Sequence, residues 1–156
     1  MTCGRTFAGT TVLFGAVALG HAALTWPLQA TLALFVGGAL LAFIGEAIVV
    51  ALDLLEHHVG PNVLGVPLYV LAGWTAVIYV ALRIALLVAS GLAAVLLAAA
   101  IATGYDVLTD NRGVENGLWT YTDDVPGPRH VAVPWWNYAG WFVISAVTGS
   151  LVVAFL

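Results

Sequence analysis

Long apolar runs separated by short polar stretches dominate the chain, and none shows the strict alternation that a half-buried strand requires. Runs at 7–26, 28–55, 66–88, 92–109 and 135–156 each approach the roughly 20 apolar residues that carry a helix across a bilayer. Five transmembrane helices are therefore predicted. Trp26-Pro27 closes the first run, with an aromatic ring for the interface and a proline for the boundary. Arg5, the apolar run and Gly20-His21-Ala22 also match the three regions of a signal peptide, so a cleaved leader stays open as a second reading of 7–26. Gly60-Pro61-Asn62 makes a turn, and Pro67 sits in the first turn of the third helix, where its missing N–H breaks no bond. The fourth run is rich in small residues (AAVLLAAAIATG), which suits close helix packing. Residues 111–134 carry turn chemistry throughout, from Asn111 and Gly113 to Pro126-Gly127-Pro128, and are predicted as a polar loop. Trp135-Trp136 then form an interfacial belt at the start of the fifth helix. No internal repeat is apparent. The fold class is all-α, an integral membrane bundle forming one domain over 1–156.

Composition agrees with lipid as the solvent. The 156 residues are 62% hydrophobic and 8% charged, with a mean hydropathy of +1.05, well above an average soluble domain. The formal charge is −4 and lysine is absent, which removes a basic patch for nucleic acid or anionic lipid. Acid excess without lysine also fits the composition of a salt-adapted, halophilic archaeon-like organism. The single Cys3 excludes an internal disulfide. Five spans put the N-terminus and the 2–3 and 4–5 loops on one face, with Arg5, Arg112 and Arg129 against Arg83 on the other. The positive-inside bias then places this acidic face in the cytoplasm, in a multi-pass protein of the cell membrane.

Charge inside the apolar runs marks the candidate chemistry. Glu46 and Asp53 lie seven apart, near two helical turns, with Glu56 and His57 near the same stripe, and form a polar seam on one side of the second helix. A carboxylate deep in a bilayer costs about 2.5–3.5 kcal/mol on insertion scales, so Glu46 should face protein or a wet cleft. His57-His58 sit at the end of that helix as an interfacial cap favoured by its dipole. His21 faces a neighbouring helix, Trp74 faces the bundle interior, and Arg83 snorkels to the far interface. Asp106 and Asp110 lie one turn apart on one face of the fourth helix, and Asn137 and Trp141 share a face of the fifth.

Several membrane chemistries can be weighed against these residues. Four histidines are too few for a di-iron oxygenase. Asp106-x-x-x-Asp110 resembles one half of the magnesium-binding pair of membrane prenyltransferases, but the second half is missing, so no metal site is expected. No nucleophile with a neighbouring base can be assembled. What remains is a set of carboxyls beside aromatic rings in an apolar cleft. Burial can keep such an acid protonated, and it could protonate an alkene. Indole and phenol faces would stabilise the tertiary cation by about 0.5–2 kcal/mol per contact, and a second carboxylate would orient the attacking water. A non-catalytic module that binds an isoprenoid or scaffolds other enzymes, and a small proton-coupled transporter using Glu46 and Asp53, stay open beside it.

Gly65-Val66-Pro67-Leu68 with Trp74, Asp106-x-x-x-Asp110, Gly117-Leu118-Trp119-x-Tyr121 and Val133-Pro134-x-x-Asn137-x-x-Gly140-Trp141 together resemble the carotenoid biosynthesis membrane-protein family that includes bisanhydrobacterioruberin hydratase. The likeness spans roughly residues 45–145, its last block is the most specific, and the chain resembles a shortened member. It implies hydration of the terminal double bond of an acyclic carotenoid to a tertiary alcohol, with no cofactor. Asp106, Asp110, Trp119, Asn137 and Trp141 fall on its motif sites, and Glu46 on an acidic position of the second helix. The implied catalytic set is Asp106 or Asp110 as proton donor with Glu46 or Asp53 orienting water. The implied substrate-binding set is Trp74, Trp119, Tyr121, Asn137 and Trp141. The partners implied are a lipid-soluble polyene or isoprenoid, membrane lipid, and a second copy or other carotenoid enzymes.

Overall fold

The computed structural model describes residues 2–122 and 125–156, with side chains from Gly4 onward; Asp123, Asp124 and the Cys3 side chain lie outside the described residues. Five helices are long and apolar enough to cross a membrane: α1 (Thr2–Thr25), α2 (Leu28–Ala51), α3 (Leu68–Ala85), α4 (Gly91–Glu115) and α5 (Trp135–Val153). Three pairs of short strands lie between them. Strands β1 (Leu55–His57), β2 (Asn62–Val63) and β3 (Val66–Pro67) join α2 to α3, and β4 (Trp119–Tyr121), β5 (Arg129–His130) and β6 (Val133–Pro134) join α4 to α5. Large apolar side chains such as Leu13, Leu24, Leu87 and Leu108 stay exposed, as lipid-facing residues must.

Helices α2, α3, α4 and α5 pack in a ring, each against its two neighbours, and α1 lies outside, against α3. Enclosed by this arrangement, α3 is the most buried helix. Trp74, Ile78 and Leu82 of α3 meet Leu34, Ala98, Ala102 and Val152 in one core. Residues Ala33–Gly38 of α2 form a π-helical segment, a local widening that often sits near functional sites. Closer to the strands, a Cβ on Gly45 would stand 2.7 Å from Ile144 Cδ1, so α2 and α5 close tightly on their side of the ring.

The ring is built twice from one pattern, which corrects the expectation that the chain holds no repeat. Gly60-Pro61, Val66-Pro67 and Gly73-Trp74 recur at constant spacing as Gly127-Pro128, Val133-Pro134 and Gly140-Trp141. Both hairpins carry a non-glycine residue in the left-handed region at the same place, Leu64 (φ 51) and Val131 (φ 56). Both close with the same bond, Leu68 N to Pro61 O and Trp135 N to Pro128 O. Helices α2 and α4 end alike, with Leu54 N bonded to Val49 O and Leu118 N to Gly113 O. Strands β1 and β4 pair antiparallel, Leu55 opposite Tyr121 and His57 opposite Trp119. That register is what an approximate two-fold axis through the Glu56–Thr120 pair produces. The two units run in the same direction, a parallel repeat about an axis along the membrane normal.

Two boundaries differ from expectation. Helix α2 stops at Ala51, so Asp53 lies beyond it in the left-handed region (φ 55), exposed, where Gly117 (φ 65) stands after α4. The supposed loop also begins later, because α4 continues to Glu115 before β4.

Candidate functional site

Near the strand end of the bundle, α2 presents Glu46, and two donors converge on it. Trp74 Nε1 of α3 donates to Glu46 Oε1 at 3.0 Å, and His57 Nε2 of β1 lies 3.0 Å from Oε2. The side chains of His57 and Glu46 are 4% and 11% exposed. His57 is therefore the buried partner of a carboxylate and no interfacial cap. His58 is the exposed one, bonded to Thr120 Oγ1 at 2.7 Å.

Helix α4 presents the second acidic group from its interior, because it continues past both aspartates. Asp106 and Asp110 are 4% and 6% exposed. Asn137 Nδ2 of α5 donates to Asp106 Oδ2 at 2.8 Å and to Asp110 Oδ2 at 3.3 Å. Tyr121 OH of β4 donates to Asp110 Oδ2 at 2.8 Å. Burial first, and then the neighbouring carboxyls of Asp110 and Asp106, push the Tyr121 phenol well above its usual range, which keeps it a donor. Neither aspartate forms an ion pair with an arginine among the described residues. Asp106 and Asp110 are thus two buried carboxyls held by one shared amide donor.

Under the repeat, Glu46 corresponds to Asp110, His57 to Tyr121, and Trp74 to Trp141. The two indoles stack on each other, centroids 3.6 Å apart and planes inclined by 10°. Asp106 and Asn137 have apolar counterparts, Ala42 and Val70. The two-carboxyl arrangement thus belongs to the second half only.

Between α1, α3 and α4 lies a cavity of about 380 Å³. Glu46, His57, Trp74, Asp106, Asp110, Trp119, Tyr121 and Trp141 all line it, and Phe7, Thr11 and Phe14 of α1 form its outer wall. Tyr105, at its α4 edge, is exposed, so the cavity borders the lipid-facing surface. Asn137 reaches the site through the aspartates it bonds. Asp53 does not enter it. Trp136 packs edge-on against Tyr121, centroids 5.5 Å apart, and so supports the cluster from behind, while Trp135 stays exposed as an interfacial residue. His21 meets Tyr79 OH at 2.5 Å, and Arg83 donates to Thr25 Oγ1 at 3.1 Å, as their polar roles at helix contacts require.

Trp119 depends on one glycine. A Cβ on Gly113 would fall 1.9 Å from Trp119 Cζ2, so the ring lies flat on the α4 backbone. Gly113→Val is expected to displace that ring and destabilise the protein by about 1–3 kcal/mol, the usual range for overpacking. A melting temperature in detergent unchanged from wild type would contradict this.

Among the described residues, no group of three or more His, Cys, Asp or Glu side chains could hold a metal ion. A family model described as "Carotenoid biosynthesis protein" matches residues 7–156. No curated protein and no solved structure matches the chain.

Proposed function

The chain belongs to the carotenoid biosynthesis protein family, and on that premise we propose that it hydrates the terminal double bond of an acyclic carotenoid by acid catalysis. The observation that carries this reading is the convergence of two unlike acidic groups on one apolar cavity. Asp106 and Asp110 share an amide donor on one side, Glu46 is paired with His57 on the other, and stacked Trp74 and Trp141 complete the lining.

The Asp106–Asp110 pair gives its proton to the alkene carbon that leaves the positive charge on the branched neighbour. The cation forms against aromatic faces, where each contact stabilises it by about 0.5–2 kcal/mol. Water bonds to the cationic carbon, and Glu46, held by His57 and Trp74, takes the released proton. One molecule of water is added, a tertiary alcohol results, and nothing is oxidised or reduced. Asn137 and Tyr121 orient the acid pair. The acidic end of the bundle faces the cytoplasm, from which water and protons reach the site.

The test is expression in cells that accumulate an acyclic carotenoid with an unhydrated end group. A pigment heavier by one water is the expected result. A pigment that co-purifies with the protein unaltered would replace catalysis with carrier binding.

A further inference from the structure

The cavity is too small for the substrate class it would serve. About 380 Å³ lies at the low end of pockets that hold drug-sized ligands, enough for one end of a forty-carbon polyene. The remaining chain must leave toward lipid, on the side walled by α1 and edged by Tyr105 of α4.

A second hollow, of about 420 Å³, begins where the first ends. It runs between α1 and α3 toward the opposite membrane face, lined by Val17, Val80, Ile84 and Leu87 among others, and Phe14 borders both hollows. Ala18, buried in the core, lies at its floor. Its polar groups are spent on one another: His21 meets Tyr79, and Arg83 bonds Thr25 with its guanidinium 5.9 Å from the Trp26 ring. The surface left is apolar. From Trp74, in the first cavity, to Leu87 the helix rise gives about 20 Å. An extended chain advances about 1.2 Å per bond, as a peptide backbone does over three bonds per residue, so the track accommodates on the order of 16 bonds.

We propose that this groove binds the unreacting part of an extended isoprenoid polyene whose end group occupies the cavity, and that Phe14 marks the point where the chain passes from one to the other. The inference rests on the hydration reading for which end is held, but binding can be measured without turnover.

Protein-containing and empty lipid nanodiscs are equilibrated with a forty-carbon acyclic polyene or a ten-carbon isoprenoid triene bearing the same end group, and bound ligand is quantified by extraction. After correction for uptake by empty nanodiscs, wild type is expected to hold the long chain about tenfold more tightly, the gain coming from van der Waals packing in the groove and not from leaving water. Val17→Phe and Ile84→Phe fill the groove outside the cavity, Ile84 being 47% exposed, and should abolish that preference while short-chain binding persists. Loss of both ligands together, or of neither, would overturn the proposal. A length preference without any alcohol product retires the hydratase reading and keeps the groove. Hydration at equal efficiency for both lengths does the reverse.

Discussion

Asp106→Asn is expected to lower hydration by about 10²–10⁴-fold, the usual effect of removing a general acid. The substitution keeps an acceptor for Asn137 Nδ2, which now bonds Asp106 Oδ2 at 2.8 Å, so the fold and the cavity should survive. Asp110→Asn should fall in the same range, because either change removes one carboxyl of the pair that the proposal makes the acid. The measurement is the ratio of hydrated to unhydrated pigment at matched protein levels. Activity within threefold of wild type in both variants, roughly 0.7 kcal/mol of barrier, would remove the pair from the mechanism.

Glu46→Ala should be the most destabilising single change, at about 3–5 kcal/mol, because it strands a buried partner. His57 and the Trp74 indole would both lose the oxygen they now meet at 3.0 Å. Replacing Glu46 and His57 together by leucine should recover most of that loss, since exchanging a buried pair for apolar residues is often neutral. Thermal unfolding in detergent compares the two. Equal melting temperatures for the single and double variants would show that the pair contributes nothing to the fold.

Much of this architecture was legible in the sequence because lipid imposes strong rules. Five apolar runs of spanning length became five helices, and the cost of a carboxylate inside the second marked Glu46. One-turn spacing put the two aspartates on a single face, and the structure brings Asn137 to that face. The losses came at the ends of helices, where hydropathy is silent. Asp53 was placed on the helix with Glu46, yet α2 had already ended in a left-handed turn. Gly113 suggested a loop, whereas it is the flat seat for Trp119 within α4. His57 was read as an interfacial cap because the helix was extended to it, whereas α2 ends at Ala51 and β1 carries His57 back to Glu46. The repeat would have found it, by aligning His57 with Tyr121. That repeat was obscured because the segment between strand and hairpin is longer in the second unit, and because Ala, Val and Leu carry little information in lipid.

The stacked Trp74 and Trp141 are counterparts under the repeat, so two matching halves would present the same groups on either side of them. The substitutions that spoil the likeness, Asp106 where the first unit has Ala42 and Asn137 where it has Val70, make those two sides unlike. Under the proposed hydration, delivery of the proton is thereby confined to one half, at the positions where the halves stopped matching.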